Sequence, residues 1–146
     1  MSRQLANLKV GYRYPENTYE VVTLSFKLTE QGTLDTLAFS TNTPTEFITR
    51  ARTALNEQNG RWGNPEALKG LVNGKWLISH YYLEGYTENP TESDKGRREA
   101  FLAAFQRENE LFLCSSGLDH PYRCQTYYLI GRDFILFPPF HFSVKR

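Results

Sequence analysis

The chain has 146 residues, of which 40% are hydrophobic, 23% are charged and 14% are aromatic, and its formal net charge is +1. This length suits one domain with a core of its own, and the composition excludes an intrinsically disordered chain. The small net charge gives no global electrostatic reason to expect a nucleic-acid or membrane partner.

The compartment is predicted from what the sequence lacks. The first ten residues have no apolar core of a signal peptide, and no apolar run approaches the ~20 residues of a membrane helix. Cys114 and Cys124 are interpreted as small buried apolar groups in a reducing compartment, which approach each other if their strands pair. No zinc-type spacing or cofactor fingerprint occurs. We predict a soluble cytoplasmic protein with no metal, cofactor or membrane partner.

Alternation with period two predicts three strands at the start of the chain. These strands are residues 5–14, 19–28 and 34–40. In the second strand, Val22, Leu24, Phe26 and Leu28 share one buried face. A turn at residues 29–33 contains Gly32, which tolerates positive φ, and makes the second and third strands a hairpin.

Helical spacing predicts three helices. The first begins with Thr43 as N-cap, Pro44 at the first helical position and Glu46 closing a capping box, and it ends at residues 59–60. Its apolar stripe comprises Phe47, Ile48, Ala51, Ala54 and Leu55. A short second helix covers about residues 64–74. Thr91 or Ser93 caps a third helix that ends near Asn109.

The remaining segments predict strands at 75–86, 110–115, 122–130 and 134–144. Strand 75–86 is apolar on both faces, which indicates a central position. Gly131 is expected at the first central position of a hairpin turn, and Pro138-Pro139 interrupts the last strand. The order βββ-αα-β-α-βββ over residues 1–146 predicts a single α+β domain. We expect a largely antiparallel sheet of six or seven strands with two or three helices on one face.

Among the three histidines, His80 has the most suggestive surroundings. It lies four residues before Glu84 on one predicted strand, so both side chains point to the same side of the sheet. A histidine and a carboxylate on one face can perform general acid–base chemistry. The alternative interpretation is a histidine packed among aromatic neighbours with a local hydrogen bond.

The other polar motifs do not indicate catalysis. Residues 119–121 (Asp-His-Pro) are ordinary turn residues, and residues 115–117 lack the Gly-x-Ser-x-Gly nucleophile elbow. His141-Phe142-Ser143 resembles the His-x-Ser motif of the two-histidine cyclic phosphodiesterases. Those enzymes carry two such motifs and this chain has one, so the motif does not indicate membership of that family.

Two segments are candidate binding surfaces. Arg61 and Trp62 lie between two glycines in the loop that joins the first two helices, and both residue types are enriched at binding hot spots. The alternative is that Trp62 fills the core beneath the loop. Arg97 and Arg98, with Lys95, form a basic cluster whose charge is partly cancelled by neighbouring acidic residues. A solvated helix face of mixed charge is the alternative.

These observations lead to three functional hypotheses. The first is a non-enzymatic binding module or small subunit that docks onto a protein or ribonucleoprotein assembly. The second is a small enzyme that uses His80 and Glu84 as an acid–base pair. The third is a single-strand nucleic-acid binder with aromatic side chains on an exposed sheet face.

Overall fold

The computed structural model describes residues 18–58, 72, 74–86, 89–112, 114–117, 120–124 and 128–145. The strands are β1 (Thr18–Leu28), β2 (Leu34–Phe39), β3 (Trp76–Tyr86), β4 (Cys114–Gly117), β5 (His120–Cys124), β6 (Leu129–Ile130), β7 (Phe134–Leu136) and β8 (Phe140–Lys145). The helices given in full by the described residues are α1 (Thr45–Glu57) and α2 (Glu92–Glu110). The predicted strand 5–14 and most of the predicted helix 64–74 lie outside the described residues.

Within the described ranges, the main sheet has six strands in the order β2-β1-β3-β7-β6, and β8 also pairs with β3. β1 is antiparallel to both β2 and β3, whereas β7 and β8 are parallel to β3 along the same edge. The α+β class and the central position of β3 are confirmed. The expected largely antiparallel sheet is corrected to a mixed one, because the chain returns to β3 through α2 and a separate β4–β5 ribbon, and such a crossover allows parallel pairing.

The predicted β1–β2 hairpin is confirmed. The amide of Thr29 donates to the carbonyl of Thr33 at 2.8 Å, and the amide of Gly32 donates to the carbonyl of Thr29 at 2.9 Å. Gly32 has a φ of 77°, a conformation that side chains with a Cβ rarely adopt.

The β6–β7 hairpin turns one residue later than predicted. The amide of Gly131 donates to the carbonyl of Phe134 at 2.8 Å, so the central residues of the turn are Arg132 and Asp133. Gly131, which precedes the central residues of the turn, leaves room for a neighbouring ring. A Cβ on this residue would lie 2.5 Å from the ring of Phe134, which packs directly over it.

The main core lies between α1 and one face of the sheet. The alternating residues of β1 that were predicted to share a face are buried here, with Phe26 fully covered. They pack with the α1 residues Phe47, Ala51 and Leu55. We call this side of the sheet the α1 face.

The start of α1 differs from the prediction by one position. Pro44 is the N-cap residue, because its carbonyl accepts the first helical hydrogen bond, from the amide of Ile48. The hydroxyl of Thr43 instead donates to the carbonyl of Ser40 at 2.6 Å. Glu46 pairs with Arg50 one turn later rather than closing a capping box.

The helix α2 lies on the opposite side of the sheet. Tyr81 contacts Phe47 of α1 and the next residue, Tyr82, contacts Phe101 of α2. Successive side chains of a strand point to opposite faces, so the two described helices cover two faces and not one. We call this second side the α2 face.

The boundaries in the second half of the chain are partly as predicted. Thr91 caps α2 in a complete capping box with Asp94, and the helix continues to Glu110, where a strand was expected. The predicted strand 122–130 is divided into β5 and β6, and residues 138–139 separate β7 from β8 as expected.

Candidate functional site

The α2 face brings together side chains from three adjacent strands. Strand register places Tyr19 of β1 opposite Glu84 of β3, and Glu84 opposite Ser143 of β8. The same register places Tyr82 opposite His141. Because register partners share a face, these residues form two neighbouring rows on one side of the sheet, beneath α2.

Glu84 is the centre of a polar cluster. Its side chain is fully buried, and both oxygens accept hydrogen bonds from Arg98 of α2, from Nε at 2.9 Å and from Nη2 at 3.2 Å. The ring of His141 lies on the other side, with Nε2 2.9 Å from Oε1 of the carboxylate. This side-on arginine contact is the geometry in which a carboxylate is bound most strongly. We call Glu84, Arg98, His141 and Ser143 the polar cluster.

The charge of the polar cluster follows from these contacts. Burial raises the pKa of Glu84, but hydrogen bonds from Arg98 and Ser143 and the positive charge of Arg98 outweigh it, so the pKa lies below its ordinary value. Glu84 is therefore ionised at neutral pH and can only accept hydrogen bonds. It follows that Nε2 of His141 carries the proton in their contact.

A second histidine–glutamate pair lies at the other end of α2. Nδ1 of His80 is 2.7 Å from Oε1 of Glu108, and the hydroxyl of Tyr82 donates to the same oxygen at 3.4 Å. Burial, followed by the negative charge of Glu108, raises the pKa of Tyr82 to about 12. Tyr82 is thus a neutral donor at physiological pH.

Aromatic rings fill the space between the two histidine–glutamate pairs. Phe101 contacts both Tyr19 and Tyr82 at ring-centroid distances of 5.6 and 5.5 Å. Phe105 contacts Tyr82 and His141 at 5.1 and 5.3 Å. These tilted and edge-to-face contacts fix the rings in place, so the two pairs are held apart by a rigid aromatic layer.

The α2 face continues beyond His80 with an apolar surface. Trp76 and Phe134 are register partners on β3 and β7, and Phe134 is 42% exposed. Nζ of Lys27 lies 4.8 Å from the centre of the Trp76 ring, a cation–π contact. The half-buried Ile78 and Leu136 complete this surface. We call these five residues the Trp76–Phe134 surface.

The predicted His80–Glu84 pair does not form. Both residues lie on the α2 face as expected, but His80 contacts Glu108 and Glu84 contacts Arg98 and His141. The side chains are four residues apart on an extended strand, a separation of roughly 13 Å. Sharing a face therefore did not bring them into contact.

The predicted basic cluster divides between two roles. Arg98 belongs to the polar cluster, whereas the guanidinium of Arg97 lies 5.4 Å from the centre of the Tyr19 ring and 3.8 Å from Asp94. Lys95 pairs with Glu92 on the exposed side of the helix.

Several residues considered from the sequence lie outside the described residues, or are described by their backbone alone. Arg61 and Trp62 fall outside the described residues, as does Asp119. For His120 and Ser115 only the backbone is described, within the β4–β5 ribbon. In that ribbon Cys114 and Cys124 are direct register partners, so the strand pairing that the sequence left open is present.

The sequence interpretation missed His141 and Tyr19 as members of the site. The signal for His141 was present, because His141 and Ser143 are two residues apart on a strand and so point to one side. Their meeting with Glu84 depends on parallel β3–β8 pairing, which no local pattern encodes. Tyr19 is brought to the site by the β1–β3 register in the same way.

Comparison with known proteins gives no family and no relative. No protein-family model, curated protein or solved structure matches this chain. Among the described residues, no cluster of three or more His, Cys, Asp or Glu side chains is suited to hold a metal ion. Within that same part of the chain, no helix combines the length and hydropathy needed to cross a membrane.

Proposed function

We propose that the protein is a non-enzymatic binding module that docks onto a protein or ribonucleoprotein assembly through the Trp76–Phe134 surface. The observation that carries the proposal is the 42% exposure of Phe134 next to Trp76, on strands that are otherwise packed into the sheet. Large aromatic side chains are favoured as interface anchors.

The strands that carry Trp76 and Phe134 are anchored in the sheet and the core, which favours binding by these two side chains. Trp76 begins β3, the central strand of the sheet, and Ile135, next to Phe134, is fully buried in the main core. Anchors held by a rigid support lose little conformational entropy when a partner binds. Arg61 and Trp62 stay in the proposal as a second contact.

The enzyme hypothesis is less well supported. A general base works best when its pKa lies near the working pH, and the pKa of Glu84 is lowered by the groups that hold it. Both oxygens of Glu84 are already engaged by Arg98 and His141. The pair required by that hypothesis, His80 with Glu84, is also separated by the aromatic layer.

Affinity capture with matched variants tests the proposal. The tagged protein is expressed in its source cells as wild type, as Phe134→Ala and as Ile130→Ala. Ile130 is a matched control, because it is 53% exposed on the same hairpin but shares the α1 face with Ile135. We expect a stoichiometric partner to be lost with Phe134→Ala and retained with Ile130→Ala. Equal recovery of the partner with both variants would show that the Trp76–Phe134 surface does not bind it.

A further inference from the structure

Cys114 and Cys124 occupy directly opposite positions of the β4–β5 ribbon. The ribbon is a two-stranded antiparallel sheet, separate from the main sheet, and the two cysteines are Cα partners in its register. Cα atoms of directly opposite residues in antiparallel strands lie about 4.5 or 5.5 Å apart, depending on whether the pair exchanges backbone hydrogen bonds. A disulfide needs a Cα separation of about 4.4–6.8 Å. Either kind of pair therefore has the backbone geometry of a disulfide.

Closing a bond between these positions requires only a small movement of the strands. The Cβ atoms of opposite partners are about 4.5–5.5 Å apart, and a disulfide spans about 3.5–4.5 Å between its Cβ atoms. The strands must therefore approach by roughly 1 Å. A two-stranded ribbon is only marginally stable by itself, and this one takes no part in the main sheet. Such a ribbon makes this adjustment without disturbing the main core.

The position of the pair within the ribbon is specific. Cys114 is the first residue of β4 and Cys124 is the last residue of β5, so a bond between them closes the open end of the ribbon. These are the two cysteines of the chain, so no other thiol of the protein competes for either of them. A slip of one residue in register would place Cys114 opposite Arg123, which now pairs with Ser115. The observed register therefore selects this pairing.

We propose that Cys114 and Cys124 are a redox-sensitive pair, which forms a disulfide across the open end of the ribbon on reaction with an oxidised low-molecular-weight thiol such as glutathione disulfide. The thiolate of one cysteine attacks glutathione disulfide, breaks its S–S bond and releases one glutathione, which leaves a mixed disulfide. The second thiolate attacks the protein sulfur of that mixed disulfide, forms the Cys114–Cys124 bond and releases the second glutathione. The two thiol protons and two electrons pass to the released glutathiones, and reduced glutathione reverses both steps.

The disulfide restricts one connection of the fold. The ribbon follows α2 along the chain and precedes the β6–β7 hairpin. A bond between its ends closes residues 114–124 into a loop and reduces the conformational freedom that the open ribbon would gain. The inference is independent of the proposed function, because it concerns different residues from the Trp76–Phe134 surface.

Thiol–disulfide exchange of the purified full chain tests the pair. The protein is equilibrated in mixtures of reduced and oxidised glutathione at about 1 mM, quenched with acid and treated with N-ethylmaleimide, and the products are distinguished by intact mass. We expect the disulfide that carries no glutathione to exceed the mixed disulfides at least about tenfold, because the second thiol is held at a high effective concentration. Glutathione on both cysteines, disulfide-linked dimers, or thiols that react only after denaturation would overturn the proposal.

A variant with the second thiol moved by one position is the matched control. It carries Cys124→Ser together with Arg123→Cys, so it keeps two thiols at nearly the same separation along the chain. Position 123 is the partner of Ser115, and neighbouring positions of a strand point to opposite sides. We expect its ratio of disulfide to mixed disulfide to be at least about tenfold below that of the wild type. Equal ratios would show that the register does not create the pair, and would overturn the proposal.

Hydrogen exchange of the reduced and oxidised full chain shows whether the bond closes in the folded protein. We expect the amides of Cys114–Gly117 and His120–Cys124 to exchange at least about tenfold more slowly after oxidation. The amides of Thr45–Glu57 should be equally protected in both forms. Ribbon amides that are unchanged by oxidation, or a loss of protection in Thr45–Glu57, would overturn the proposal, because the bond would then not fit the native ribbon.

Discussion

Glu84 shows how a single buried charge joins a helix to a sheet. Its carboxylate has no exposed surface and is held by Arg98, whose side chain is 37% exposed, and by His141. Removing one partner of a buried ion pair leaves the other charge unpaired. Partial solvation of Arg98 reduces this penalty. We expect Glu84→Gln to lower the free energy of unfolding by about 1.5–3 kcal/mol at neutral pH, as measured by urea denaturation.

The pH dependence of this loss has a definite sign. The pKa of Glu84 in the folded protein lies below its ordinary value of 4.5, so its contribution is complete above that value. It is lost as the pH falls through the lower, folded pKa. The stability difference between wild type and Glu84→Gln should therefore shrink as the pH falls below about 4. A difference that still grows below about pH 4 would contradict the charge assignment.

Gly74 and Gly96 allow backbone strain to be compared at two positions that both have space for a methyl group. An added Cβ meets no atom within 4 Å at either Gly74 or Gly96, but only Gly74 has a positive φ, of 70°. We expect Gly74→Ala to destabilise the protein by about 1–2 kcal/mol, because the left-handed region is strained for alanine. Gly96→Ala should stabilise it by about 0.5–1 kcal/mol, because the residue lies inside α2. Urea denaturation of both variants checks the opposite signs.

At the scale of elements, α1 and β1 form the firmest part of the molecule. Phe26 of β1 is fully buried against the α1 residues. Phe26→Ala should cost about 3–5 kcal/mol of unfolding free energy, since it removes a large side chain from a packed core. Val21→Ala is the control, because Val21 is 39% exposed on the opposite face of the same strand. A cost below about 1 kcal/mol for Phe26→Ala would show that this core is not packed as described.

The elements that could be predicted from the sequence are those specified by residues close to one another along the chain. Alternation predicted β1 and its buried face, and Gly32 predicted the hairpin. For the start of α2 the sequence offered Thr91 or Ser93, and Thr91 is the cap. The parallel pairing of β7 and β8 with β3 could not be predicted, because register between distant strands has no local signature. The polar cluster was missed for the same reason. Residues 84, 141 and 143 are brought together by the β3–β8 pairing, and residue 98 by the packing of α2 on the sheet.

At the scale of the whole molecule, the net charge of +1 bears on the nucleic-acid hypothesis. Contacts with phosphates release counterions, so such binding weakens steeply as salt rises. We expect at most weak binding of single strands, lost by physiological salt. Tight binding that persists at that salt and disappears in an Arg97→Glu, Arg98→Glu variant that remains folded would favour the nucleic-acid hypothesis. An Arg97→Glu variant alone serves as control, since it leaves the contact between Arg98 and Glu84 in place.

Site-specific photo-crosslinking tests the central claim most directly, namely that the Trp76–Phe134 surface contacts a protein partner. Benzoylphenylalanine replaces Phe134 in one protein and Ile130 in another, and both are irradiated in the source cells. The two positions are similarly exposed on one hairpin but lie on opposite faces of the sheet. We predict a discrete crosslinked protein from position 134 and none from position 130. Crosslinking from position 130 alone, or from neither position, would contradict the account.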